Sequence, residues 1–234
     1  MEITRLEKGG QILNLVAQYK DFLLTLLLEC ISNVQIDDED DAEEEWGVNL
    51  ASGCCLVKVS LLLKNAVLDK VVQFVQSYIV NGEWQKRYAA LMALGAASDG
   101  PEKSAYAQIL TPSIHQLMNM FQDPSIKVRE AISWVTLQIC SHHADVMTSS
   151  PAQTSMFVEV LINKLQDRPK VSVYLCQAIE KLAESLAPYS KDQQENQLTV
   201  HFERLAEALF TNAARVADDD SNNGLVQASY ATLT

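Results

Sequence analysis

A chain of 234 residues with 48% hydrophobic and 21% charged positions can bury a substantial core, which excludes disorder along its whole length. Eight glycines and six prolines set against abundant Leu, Ala, Val, Glu and Gln exclude a fold of many short strands, and the expected class is all-α. A formal charge of -12 and a sequence pI near 4.7 oppose a direct grip on nucleic acid or insertion at an anionic membrane, and favour a basic protein partner.

In chain order, the first greasy run, Phe22 to Leu28, is too short to span a bilayer and is followed by acid, so no signal peptide or transmembrane helix is read there. Met1 leads directly into a helical pattern and Thr234 ends within another, so the chain reads as a segment of something longer. Next comes DDEDDAEEE, in which Asp37, Asp38, Glu39, Asp40, Asp41, Glu43, Glu44 and Glu45 surround one alanine and Trp46 closes the run. Blocks of like charge repel one another, and a plain solvated loop is one reading. The other is a projecting loop that meets a basic partner, favoured by its place between two helices and by the terminal Trp.

Beyond it the chain repeats. GEWQKRYAALMALGAA from Gly82 realigns with SIKVREAISWVTLQIC from Ser125, which lays Arg87 on Arg129, Ala89 on Ala131 and Met92 on Trp134 at a shift of about 42 residues. A further shift of about 43 brings KVSVYLCQAIEKLAESL from Lys170 onto the template, with Val171 over Val128 and Leu182 over Ile139. LASGCCLVKVSLLL from Leu50 and LVQASYATL from Leu225 extend the series to about five units. Each unit is expected to be a helical hairpin that buries its apolar sides only by stacking on its neighbours. The predicted fold is therefore an α-α superhelix, a HEAT or armadillo-type solenoid occupying residues 1–234, with an acidic inter-helix loop at 37–45. Its second helices are expected to line one continuous wall.

In the third unit the first helix is expected from about Pro112 to Phe121, with Ile114, Leu117, Met118 and Phe121 forming one stripe. Asp123-Pro124-Ser125 breaks it, and the second helix is expected from Ser125 to about Ser141. On that helix Val128, Ala131, Ile132, Val135 and Ile139 share a face, and Glu130 and Trp134 fall opposite. A carboxylate beside an indole suits an incoming Arg or Lys, since the ring takes the cation and the acid completes the pair. The alternative has Trp134 wedged between repeats, which Leu137 on the same side supports.

The remaining chemistry is sparse. Cys30, Cys54, Cys55, Cys140 and Cys176 contain no Cys-x-x-Cys pair and read as small buried hydrophobes. Cys140, His142 and His143 lack a second ligand pair at finger spacing, so no metal is assigned. Asp218-Asp219-Asp220 reads as a solvated connection. No phosphate loop, nucleophile elbow or His-Glu-x-x-His occurs, and neither a catalytic residue nor a cofactor is assigned.

The stretches DAEEEWGVNLASGCCL, GEWQKRYAALMALGAASDGPE, FQDPSIKVREAISWVTLQIC and KVSVYLCQAIEKLAES, in this order and spacing, resemble a central segment of the importin-β (karyopherin-β) family. The resemblance implies a nuclear import receptor that shuttles between cytoplasm and nucleus and does no covalent chemistry. Its partners would be an importin-α-type adaptor or basic cargo, the GTPase Ran, and nucleoporins through the full-length receptor. It further implies that Asp37 to Glu45 is the family's acidic loop, that Trp46 and Trp134 match two of three cargo-groove tryptophans, and that Glu130 matches an acidic groove position. Gln177 stands where the third tryptophan is expected, and Tyr88 where the second unit would carry an acid. The alternatives are another HEAT scaffold, such as a different karyopherin or a phosphatase-type scaffold, and the regulatory arm of an enzyme.

Overall fold

The computed structural model describes residues 10, 13–34, 47–186, 197–215 and 223–233. The acidic run with Trp46, and Asp218 to Asp220, lie outside them. Among the described residues the helices from Lys20 onward follow one another as five pairs, and no strand occurs. The pairs are α1 (Lys20–Ser32) with α2 (Val48–Leu63), α3 (Leu68–Tyr78) with α4 (Trp84–Ala96), α5 (Lys103–Asn119) with α6 (Ile126–Met147), α7 (Pro151–Lys164) with α8 (Pro169–Leu186), and α9 (Phe202–Ala214) with α10 (Asn223–Leu233). Every repeat segment read from the sequence is the second helix of a pair. The chain folds as two compact units, Met1–Ile109 and Leu110–Thr234.

In the first unit α1 packs on α2, α3 on α4, and α4 on both α1 and α2. Helix α4 is the centre because Ala89, Ala90, Ala93 and Ala96 let neighbouring helices approach closely, while Tyr88, Leu91 and Leu94 fill the space between. Leu24, Ile31, Leu56, Val67 and Val71 close this core from the other helices. Each such fully buried aliphatic side chain contributes about 1.5–3 kcal/mol. The buried Tyr106 hydroxyl donates to the Leu94 carbonyl at 2.7 Å, and burial pushes its pKa well up. At Gly100 the backbone runs so close to α2 that a Cβ would land 2.1 Å from the Ser60 carbonyl oxygen. Ser60 in turn donates to the Ala97 carbonyl at 3.3 Å, and Asn65 accepts the Glu102 N–H at 2.7 Å.

The stretch Val48–Tyr78 is long and apolar enough to cross a membrane by length and composition, which the sequence reading did not register. It is broken at Lys64, whose φ of 51° ends α2 before a 3₁₀ turn over Lys64–Val67. Leu56, Val59, Val67 and Val71 are buried within the unit.

In the second unit α6 packs on α8 and α7, α8 on α7 and α10, and α9 on α7 and α10. The second helices thus lie side by side, with Val128, Ile132, Val135, Ile139, Leu175 and Leu182 buried along them. The fourth pair opens on a clear stop and start signal: Pro151 follows Ser150, whose hydroxyl accepts the Gln153 N–H.

Three expectations need correction. Helix α5 starts at Lys103, nine residues before the expected Pro112, and carries that proline inside it. Proline removes a donor for the carbonyl four residues back, Gln108, but both residues are exposed, where water serves the carbonyl. Helix α6 runs past Ser141 to Met147, although His143 leaves helical angles at φ -139° and ψ 36°, so the expected end marks a kink instead. Cys54 and Cys55 are exposed and Cys30 is half-buried; only Cys140 and Cys176 behave as core residues. On α2 the buried side belongs to Ser52, Gly53, Leu56, Val59 and Ser60, which turns the two adjacent cysteines outward.

The repeat is visible at the level of single hydrogen bonds. Arg87 donates to the carbonyls of Asn81 and Gly82, six and five residues back, at 2.8 and 2.9 Å. Arg129 donates to those of Asp123 and Pro124, again six and five back, at 2.9 and 3.2 Å. Asn81 and Asp123 each accept the backbone N–H two residues on at 2.9 Å, an Asx turn that shapes the bend the arginine clasps.

Candidate functional site

The residues expected to receive a basic side chain are set by α6 and α8. Along α6 the buried side chains form one broad stripe, and Glu130, Trp134 and Leu137 lie opposite, all half-buried. Trp134 is therefore neither sealed in the core nor fully free. Along α8 the outward side carries Lys170, Val173, Gln177 and Lys181, with Gln177 half-buried at its centre. Tyr88 is 2% exposed in the first unit, packed edge-on against Trp84 at 6.4 Å, so an acid at its place would have been buried. The eight acids of 37–45 and Trp46 fall outside the described residues.

The electrostatics differ from a bare acid awaiting a cation. Glu130 Oε2 stands 3.5 Å from Lys170 Nζ and 3.7 Å from Lys127 Nζ. The Glu130 side chain is 12% exposed and that of Lys127 only 7%, whereas Lys170 remains 37% exposed. Two ammonium groups thus meet one carboxylate, a local sum of one positive charge. Both approaches are longer than a good charge-assisted hydrogen bond, and Glu130 Oε2 accepts no hydrogen bond although it is buried. Sequence reasoning missed both lysines. The signal was present: Lys127 is three residues before Glu130 on one helix, and the alignment of Val171 over Val128 puts Lys170 on Lys127 in the next repeat.

Next to this trio Arg129 pairs with Asp167, Nε to Oδ2 at 2.8 Å and Nη2 to Oδ1 at 3.2 Å. Burial works against the Asp167 carboxylate, but the Arg129 hydrogen bonds, the Arg168 backbone N–H and the Arg129 charge outweigh it and hold its pKa below the ordinary range. Asp167 also offers its backbone carbonyl to Arg215 Nη2 at 2.7 Å. The repeat alignment puts Ser172 where an Arg87 or Arg129 equivalent would stand. Its hydroxyl bonds the Leu165 carbonyl at 2.7 Å, and Arg215 from the fifth pair supplies the missing guanidinium to the carbonyl five residues back.

A second feature of this unit is an open cleft of about 360 Å³ lined mainly by apolar side chains, among them Ile179, Leu198, Phe202, Leu205 and Leu209. Burial pushes the Cys140 thiol up to about 12, and Cys176 is raised for the same reason, which disfavours the thiolate in both.

A family model described as importin subunit beta-1-like, TPR repeats, matches residues 156–234, and a HEAT-like repeat model matches residues 84–135. Importin subunit beta-1 of Schizosaccharomyces pombe is 29% identical over 212 residues, which is 90% of this chain and 24% of that protein. Among solved structures, Kap95p with RanGDP superposes with a TM-score of 0.81 at 25% identity, covering 97% of this chain and 27% of that one. The Kap95:Nup1 complex gives a TM-score of 0.81 at 26% identity over 93% of this chain and 24% of that one. The chain spans about a quarter of the length of these relatives. Paired helices at a period near 42, one arginine clasp in two successive bends, and the ordered match across nine-tenths of the sequence converge on one conclusion: the chain is a HEAT-repeat segment similar to a part of importin subunit beta-1.

Proposed function

We propose that this segment belongs to a nuclear import receptor that moves between cytoplasm and nucleus and holds basic cargo, or the basic import-binding helix of an importin-α-type adaptor, on its second-helix wall. The observation that carries the reading is the half-buried Glu130 and Trp134 pair, one turn apart and opposite the core stripe of α6, in a chain similar to importin subunit beta-1 over most of its length. An indole at that depth offers a face to an arginine or lysine stem, a contact of about 0.5–2 kcal/mol. The acidic residues 37–45 would draw such a cargo in, within a Debye length of roughly 8 Å at physiological salt.

Ran as a partner is supported by the likeness to Kap95p in its structure with RanGDP, and a nucleoporin as a further partner by the likeness to the Kap95:Nup1 complex; release of the cargo by Ran-GTP is part of the proposal.

Titrating the purified chain with an importin-α-type basic helix tests the reading. Binding that weakens with salt, and a Trp134→Ala variant that binds about tenfold more weakly while melting near the parent, are expected. A variant that melts early but whose folded fraction binds normally would assign Trp134 to packing between repeats instead.

A further inference from the structure

The lysine trio around Glu130 changes what a basic ligand meets there. A carboxylate that is 12% exposed and accepts no hydrogen bond at Oε2 already has two counterions, one sealed in beside it and one at the rim. Lys127, on the same helix, is too buried to leave without moving α6. Lys170 is different. It sits in the first turn of α8, is 37% exposed, and reaches Glu130 from the next repeat at 3.5 Å, outside the range of a strong ion-pair hydrogen bond.

We infer that Lys170 is an internal stand-in for the ligand's basic side chain, a specificity-determining residue that an incoming arginine has to displace from Glu130. This rests on the proposed basic-helix site and adds the competitor within it. Arginine is the favoured occupant: its guanidinium donates along its edge to a carboxylate while its face lies on an aromatic ring, and Trp134 is one turn from Glu130. A lysine would exchange one point charge for another and gain little. The chain's overall charge of -12 favours a basic over an acidic partner, although the trio itself sums to one positive charge.

The experiment uses the full chain and a fluorescein-labelled arginine-rich amphipathic helix, with its all-lysine counterpart and an acidic helix as comparison probes. Lys170→Met, and Lys170→Ala as a second variant, should bind the arginine probe about fivefold more tightly than the parent, the worth of a part-exposed ion pair no longer in competition. Glu130→Gln should abolish the gain, so that E130Q with K170M binds no better than E130Q alone. Lys181→Met, on the same outward side of α8 but paired with Glu184, should leave affinity unchanged. Equal gains from K170M and K181M, or a gain that survives E130Q, would reduce the effect to overall charge and overturn the inference while the basic-helix site stands. Binding by neither the parent nor any of the variants would remove the site itself, and the inference with it. Tighter binding of the acidic probe would overturn both and leave the trio as an anion site.

Discussion

The bends of the third and fourth helix pairs solve the same problem in opposite ways. Within the third pair, Arg129 comes from the helix that follows the bend and clasps the carbonyls of Asp123 and Pro124. The fourth bend has Ser172 at that position, and the donor to the Asp167 carbonyl arrives from the next pair as Arg215. The third bend therefore takes its guanidinium from its own hairpin, whereas the fourth has only the Ser172 hydroxyl of its own and takes its guanidinium from a neighbour. Asp167 joins the two, because its carboxylate holds Arg129 and its carbonyl holds Arg215. A repeat protein can thus lose a motif residue in one unit without losing the contact, at the cost of making that unit depend on the next.

Arg129→Ala should have the largest effect, because it removes two bend contacts and strands a part-buried carboxylate. Denaturant titration is expected to show a loss of about 2–4 kcal/mol. A loss confined to a few tenths would mean that the bend holds without its clasp. Arg215→Ala should cost less, about 1 kcal/mol, since its shorter hydrogen bond, to the Asp167 carbonyl, lies at the surface. The double variant sharpens the comparison: both arginines meet at Asp167, so their effects should depart from additivity by about 0.5 kcal/mol or more. Strict additivity would show that the two bends are independent.

Acid supplies a subtler probe. The Asp167 pKa is lowered in the folded protein, so its contribution is fully present above the ordinary aspartate value of about 3.9 and is lost as pH falls through the lower folded value. Melting temperature should therefore decline more steeply below that range in the parent than in Asp167→Asn. Parallel curves would deny the pair any part in acid stability. Arg204→Ala should change least. Its partner Glu159 is in the same unit, but the pair lies in solvent, and no change in unfolding midpoint is expected.

The period, the five pairs and the partition of α6 into a buried stripe and a half-buried opposite side were legible in the sequence. All of them follow from apolar spacing, which is local. The start of α5 was not, because a proline was read as a boundary, and only the exposure of Pro112 and Gln108 in the fold makes it tolerable. The outward turn of Cys54 and Cys55 was hidden for a similar reason: α2 is apolar on nearly every side, so periodicity does not tell which side the neighbours take. Glu130 and Trp134 were legible as a pair on one helix. Their electrostatic setting was not, since Lys170 reaches Glu130 from the following repeat and only the alignment of Lys170 on Lys127 hinted at it.

Gly100 carries a consequence for reading relatives of this chain. Its α-carbon faces the Ser60 carbonyl so closely that one added carbon would occupy the oxygen's own space. The neighbour here is backbone, which cannot rotate out of the way, so a side chain would have to lift the link after α4 off α2. Position 100 has in effect an alphabet of one letter for as long as that spacing is kept. A homologue with any other residue there has rebuilt the seam between its first and second hairpins, and a single column of an alignment would reveal a change of architecture that overall identity conceals.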